Sequence, residues 1–244
     1  MSVYSIFQQS LQKKQIALLI DPDKCDSENM EQRLKIAHQA GFDYIFVGGS
    51  LITNNHFESC IRRIKNLTSI PLVIFPGNNL QLSADADAIL FLSLISGRNP
   101  EHLIGSQVIA APVIRKMQLE AISTGYMLIE SGKVTAAQYM SGTLPIPNDK
   151  PEIAKSTAMA GEMLGLKAIY MDAGSGAQHP IPEKMISEVK KNISIPLIIG
   201  GGIRNAQQAA TAAQAGADIL VIGNAAEQNP EIIIEIKNSF VNQY

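Results

Sequence analysis

Residues Leu197 to Ala225 read LIIGGGIRNAQQAATAAQAGADILVIGNA. The stretch opens with a short apolar run, Leu197–Ile199, and passes through Gly200-Gly201-Gly202-Ile203-Arg204. An Ala- and Gln-rich helical pattern follows from Asn205 to Ala215. Gly216 stops that helix, and Ala217-Asp218 leads into a second apolar run, Ile219–Ile222, which ends at Gly223-Asn224-Ala225. Both runs are apolar at successive rather than alternate positions. That is the pattern of strands covered on both faces, so the unit reads as strand–helix–strand with parallel strands. Each strand ends in a glycine turn at the same edge of the sheet. Without Cβ atoms the backbone can approach an anion closely, and the N–H groups that open a following helix carry partial positive charge. Two such turns side by side are expected to hold a phosphate dianion. Either turn taken singly reads equally well as a plain tight turn.

Working outward, the same alternation fills the chain. Further apolar runs fall at Ile16–Ile20, Tyr44–Val47, Leu72–Phe75, Ala88–Leu92, Tyr126–Ile129 and Ala168–Met171. With the two above they make eight, separated by helical patterns, which is the arithmetic of an α/β TIM (β/α)8 barrel. Helical patterns cover Ser27 to Gln39, closed by Gly41, and Pro151 to Leu164, with Pro at the start and Glu152 in the first turn. Gly77 to Asp87 is too short for a full helix, so the unit after the third strand is expected to be degraded. Asn99 to Thr124 is long and contains Pro112. Ser131 to Asp149, rich in Gly, Thr, Pro and Ser, reads as a long loop after the fifth strand, either a lid over the site or a passive excursion. No linker or composition shift divides the chain, so residues 1–244 are expected to form one domain.

The composition agrees. Hydrophobic residues make up 46% of the chain and aromatics 5%, with no Trp, so Ile, Leu, Val, Ala and Met must fill the core. Twenty basic and 22 acidic residues give a formal charge of −2, with no basic stripe, which excludes nucleic acid as a partner. No run approaches the roughly 20 apolar residues that span a bilayer. Met1 to Lys14 is polar and carries no signal-peptide core. Cys25 and Cys60 lack metal-ligand spacing and read as two reduced thiols, so a cytoplasmic protein is expected, with peripheral membrane contact left open.

Three strand ends carry polar groups. Asp172 closes the sixth run in Tyr170-Met171-Asp172-Ala173-Gly174-Ser175-Gly176-Ala177, at the barrel end where carboxylates are commonly catalytic. Ser175 and the flanking glycines can offer a hydroxyl and N–H groups to the same phosphate; a turn-capping Asp is the alternative. The first run ends in Asp21-Pro22-Asp23-Lys24 and the second in Gly48-Gly49-Ser50. A carboxylate beside a hydroxyl supplies hard oxygen ligands of the kind Mg²⁺ takes when it bridges to a diphosphate; Asp21 reads equally as a turn former before Pro. The four histidines, at 38, 56, 102 and 179, share no metal or triad spacing. Arg98, past the fourth run, can serve an anionic substrate or simply face solvent.

Taken in order, Leu19–Lys24, Val47–Ser50, Pro145–Pro151, Tyr170–Ala177, Gly200–Ile203 and Gly223-Asn224 resemble the geranylgeranylglyceryl phosphate synthase family and its bacterial heptaprenylglyceryl phosphate synthase (PcrB-like) relatives. The resemblance runs through nearly the whole chain. It implies a transferase of ether-lipid synthesis that moves a prenyl group, here geranylgeranyl, from its diphosphate to the C3 hydroxyl of sn-glycerol 1-phosphate. It also implies Mg²⁺ at Asp21 and Ser50, and a homo-oligomer, either a dimer or a hexamer. The glycerol-phosphate site it implies comprises Tyr170, Met171, Asp172, Ala173, Gly174, Ser175 and Gly176 with Gly201, Gly202, Gly223 and Asn224. Asp172 and Tyr170 are the implied catalytic residues. At 172 many members carry Glu; Asp here retracts the carboxylate by about one C–C bond.

The chemistry follows from the residues. A carboxylate with a pKa of about 4 is too weak to deprotonate an ordinary alcohol. Once an allylic cation develops, however, the attacking oxygen becomes acidic and a weak base suffices. A dissociative transfer with late proton removal is therefore expected. Two rivals are an isomerase or lyase on the same barrel and a non-catalytic phosphate binder. No strand ends in the Lys that a Schiff-base enzyme needs, and a phosphate sensor has no use for a metal-facing Asp21.

Overall fold

The computed structural model describes residues 2–25, 28–54 and 56–241. Ser27, the expected start of the second helix, lies outside the described residues. Eight parallel strands close a barrel in sequence order: β1 Gln15–Ile20, β2 Tyr44–Val47, β3 Leu72–Ile74, β4 Ala88–Leu94, β5 Glu120–Leu128, β6 Ala168–Asp172, β7 Leu197–Gly200 and β8 Ile219–Ile222. Closure comes from β1 against β8, with Ile16 beside Leu220 and Ala17 beside Val221. The helices are α1 Val3–Gln9, α2 Glu28–Ala40, α3 Phe57–Leu67, α4 Ser106–Met117, α5 Ala136–Ser141, α6 Pro151–Met163, α7 Glu183–Lys190, α8 Ala206–Ala215, α9 Asn224–Gln228 and α10 Ile232–Val241. As the short spacing required, no helix separates β3 from β4. The long segment after β4 holds one π-helical turn, Glu101–Gly105, running into α4, which tolerates Pro112 inside it.

The alternation of side chains along each strand divides the core into two layers. Ile16, Leu18 and Ile20 of β1 face the helices, while Ala17 faces the barrel interior with Tyr44, Phe46, Leu90, Tyr170, Ile198 and Val221. The same rule sends Tyr170 and Asp172 of β6 inward and Met171 outward. The floor is closed by α1, whose Phe7 sits edge-on to Tyr44 with centroids 4.7 Å apart and stacks near Phe46 at 6.3 Å. Glu120 holds this plug by accepting hydrogen bonds from the N–H groups of Val3 and Tyr4 at 2.7 and 2.9 Å.

The thiols depart from expectation. Cys25, after β1, and Cys60, in α3, form a disulfide with Cα atoms 5.6 Å apart. Thirty-five residues separate them in sequence. They meet because β1 and β2 are neighbours and the segments following them lie side by side, a proximity that spacing alone does not reveal.

Candidate active site

All eight strands point their carboxyl ends into one cavity of about 900 Å³. Its first wall is built from the glycine turns. Gly174, Gly176, Gly201 and Gly202 all have φ between +73° and +87°, a region L side chains avoid. A Cβ on Gly201 would lie 2.7 Å from the Gly174 nitrogen and 2.8 Å from an Asp172 oxygen, so the turns after β6 and β7 interlock only with glycine there. Gly223 differs: its φ is −123°, and a Cβ would meet nothing closer than Leu19 at 3.6 Å. Packing therefore leaves open space beside Gly223, on the cavity side. Ser175 Oγ donates to Asn224 Oδ1 at 3.3 Å and ties the β6 turn to the β8 turn. Helix α8 contributes less than its position suggests, because Asn205 already caps it by accepting from the Gln208 N–H. Positive charge stands nearby on Lys133 and on Arg204, whose Nη2 donates to the Ala177 carbonyl at 2.5 Å.

The second wall carries the carboxylates. Asp172 is buried and accepts two hydrogen bonds, from Tyr126 Oη at 2.6 Å and from the Gly174 N–H at 2.7 Å. Burial pushes its pKa up, against the pull of those two donors. Burial and the adjacent carboxylate also push the Tyr126 hydroxyl well above its ordinary value, so it remains a donor. The Tyr126 and Tyr170 rings meet edge to face at 5.6 Å, and Tyr170 stacks on Phe75 at 4.9 Å. Asp21 caps the 3₁₀ turn Pro22–Lys24 by accepting from the Asp23 N–H at 3.1 Å, and its carboxylate lines the cavity with Gly49 and Ser50. Burial raises its pKa, while the Asp23 N–H and Lys24 lower it. No group of three His, Cys, Asp or Glu is placed to hold a metal among the described residues. A lone carboxylate and a hydroxyl opening on a cavity fit an ion that completes its shell with substrate oxygens, as Mg²⁺ commonly does.

A third wall is apolar. Ile89, Phe91, Ala110 and Ile114 line a branch that runs between β4 and α4, with His102 and Gln107 at its side. Gln107 Nε2 donates to the Leu92 and His102 carbonyls, holding α4 against β4. The excursion after β5 covers the cavity: Lys133, Ala136, Ala137, Met140 and Ser141 line it, and Ile146 returns to pair beside Ile129.

Of the expected site residues, Asp21, Ser50, Tyr170, Asp172, Gly174, Ser175, Gly176, Gly201, Gly202, Gly223 and Asn224 share this cavity. Met171 and Ala173 do not line it; both pack into the helix-facing core, which leaves only their backbone for a ligand. Arg98 is also turned away, donating to its own loop at the Gly97 carbonyl, 2.7 Å. Tyr126 was not anticipated. Its role depends on the β5–β6 register, which sets Tyr126 beside Tyr170.

Comparison with known proteins extends this picture. The PcrB family model matches residues 8–240. The geranylgeranylglyceryl phosphate synthase of Chitinophaga pinensis is 52% identical over 226 residues, covering 93% of this chain and 90% of that protein. The protein of the same description from Flavobacterium johnsoniae is 49% identical, covering 92% and 95%. Among solved structures, (S)-3-O-geranylgeranylglyceryl phosphate synthase from Thermoplasma acidophilum, in complex with its substrate sn-glycerol-1-phosphate, superposes with a TM-score of 0.93 at 33% identity, covering 99% of both chains. Many unrelated activities share the barrel, but a match of this length and identity reaches past the fold: the chain belongs to the PcrB family.

Proposed function

We propose that the chain is a Mg²⁺-dependent prenyltransferase that moves a geranylgeranyl group from its diphosphate to the C3 hydroxyl of sn-glycerol 1-phosphate. The observation that carries the reading is one cavity that brings together glycine turns, the carboxylates of Asp21 and Asp172 and an apolar branch. The turns at Gly174–Gly176, Gly201-Gly202 and Gly223-Asn224 hold the phosphate of the acceptor. That anchors the glycerol with a hydroxyl facing Asp172. The prenyl chain lies along Phe91, Ala110 and Ile114. Mg²⁺ held by Asp21 and Ser50 would neutralise charge developing on the diphosphate.

As the bond from the allylic carbon to the diphosphate oxygen breaks, the acceptor oxygen bonds to that carbon. Its proton passes to the Asp172 carboxylate. Tyr126 and the Gly174 N–H hold one lone pair on each Asp172 oxygen and leave the others for the substrate hydroxyl. They also keep the shorter Asp side chain in one orientation.

Homo-oligomeric assembly, as a dimer or a hexamer, belongs to the same proposal. Exposed Ile104, Val108, Ile109 and Val113 give α4 and the turn before it an apolar face for it. Peripheral membrane contact and a cytoplasmic location are proposed with it; no helix among the described residues is long and apolar enough to cross a membrane.

The test incubates the protein with geranylgeranyl diphosphate and each enantiomer of glycerol phosphate, with Mg²⁺ or with EDTA, and identifies products by mass spectrometry. The expected product is the ether of sn-glycerol 1-phosphate alone, formed only with the metal. Diphosphate consumption that ignores the enantiomer, or that survives EDTA, would overturn the reading.

A further inference from the structure

Behind Asp21 lies a chain of alternating charges that the transfer step does not use. Arg33, in α2, is 1% exposed, and its Nη1 makes no hydrogen bond. The carboxylate of Glu227, in α9, stands 3.9 Å from that nitrogen through Oε1. Its Oε2 accepts from Lys24 Nζ at 2.5 Å. Lys24 Nζ is also 3.8 Å from Asp21 Oδ2. Glu227 and Asp21 both line the main cavity. Helix α9 is further fixed by Asn29, which donates from Nδ2 to the Glu227 carbonyl at 3.2 Å.

These distances rank the partners of Lys24. Its ammonium is in hydrogen-bond contact with Glu227 and only within ion-pair range of Asp21. A lysine ammonium is a compact charge on a flexible stem, and this side chain is 51% exposed, so it can exchange partners. A guanidinium is always charged, and a buried one needs an anion. Arg33 therefore holds the Glu227 carboxylate in place. Without that anion Lys24 still has Asp21 within ion-pair range, where an ammonium would stand in the position a divalent ion needs.

We propose that Glu227 is a positioning residue for the metal-binding carboxylate: seated on Arg33, it draws Lys24 aside and leaves Asp21 free for a divalent cation. The inference rests on the reading of Asp21 as the metal holder.

Mn²⁺ binding, measured without substrate by the electron paramagnetic resonance signal of the free ion, tests this in the whole protein. Glu227→Gln is expected to weaken Mn²⁺ binding about tenfold, the equivalent of one modest ion pair. Introduced into a Lys24→Gln background, the same change is expected to alter binding less than twofold, because the competing ammonium is gone. Glu227→Asp keeps a charge opposite Arg33 and carries the same paired test should the Gln variant fail to fold. Equal weakening in both backgrounds would show Glu227 acting on the ion directly, and no weakening in either would show it idle; both results overturn the positioning role. Asp21→Asn is the control. Uptake that ignores Asp21→Asn, or no uptake by the unmodified protein, overturns the metal reading and this one with it. Uptake lost in Asp21→Asn but insensitive to Glu227 overturns the positioning role alone.

Discussion

The two ends of the barrel use aspartate in opposite ways. At the amino-terminal end, Asp43, Asp87 and Asp218 each sit just before a strand and accept an N–H at the start of the strand beside it. The partners are Ile16 at 2.8 Å, Leu72 at 2.7 Å and Leu197 at 2.8 Å. Asp218 is also neutralised by Lys190 at 2.6 Å and Lys14 at 3.8 Å. At the carboxyl-terminal end, Asp21 follows β1, Asp172 closes β6, and both face the cavity. Lower carboxylates complete the ladder, where a buried N–H would otherwise lack an acceptor. Upper ones keep lone pairs turned to the space a substrate would fill. Position along the strand, rather than residue type, separates a structural carboxylate from a candidate catalytic one.

Replacing one aspartate at each end should break this symmetry most visibly. Asp172→Ala is expected to lower kcat by about a thousandfold, within the range for loss of a general base, with far-UV circular dichroism unchanged. Asp172→Asn separates activity from stability further. Burial holds the folded-state pKa of Asp172 above its unfolded value. The stability this group contributes is therefore fully present below the unfolded pKa and is lost as pH rises through the folded one. At neutral pH the Asn variant should be inactive yet melt no lower than the native protein. For the same reason the acid limb of kcat against pH should lie above the range of an ordinary aspartate. Asp218→Ala is expected to do the reverse. Urea unfolding should show a loss of about 3 kcal/mol, since Lys190 and Lys14 are left partly buried without their anion. The activity of the folded fraction should not change.

Two smaller effects sharpen the contrast. Cys60→Ser opens the loop closed by the disulfide and should cost about 2–3 kcal/mol in the same unfolding experiment, with KM for glycerol phosphate unmoved. Tyr126→Phe removes one of the two donors to Asp172. It should lower kcat about tenfold and shift the acid limb upward, because the hydrogen bond that favours the ionised carboxylate is lost.

The same division governs what is legible in the sequence. The strands were legible because burial on both faces leaves an unbroken apolar run, as in Ile219–Ile222. The exception is β5, which begins at Glu120, six residues ahead of its apolar run. Its early residues include Ser123 and Thr124, and the side chain of Glu120 serves α1 while its backbone pairs beside Ala88. Helix α1 itself was hidden by its polar face; only Val3 and Phe7, one helical turn apart, are buried. At the upper end, glycine turns and strand-end carboxylates follow directly from chain position. Tyr126, Glu227 and the Cys25–Cys60 bond do not, because each depends on a partner brought close by strand register or helix packing. Met171 was placed in the site by its neighbours in sequence, while the two-residue period of the strand turns it to the helices.

The seat of the phosphate is the most direct test of the whole scheme. A crystal structure of this protein soaked with sn-glycerol 1-phosphate is expected to show the phosphate between the Gly201-Gly202 turn and Gly223-Asn224, with Ser175 alongside and a glycerol hydroxyl within hydrogen-bond reach of Asp172. A phosphate found elsewhere in the cavity, or a glycerol turned away from Asp172, would contradict it.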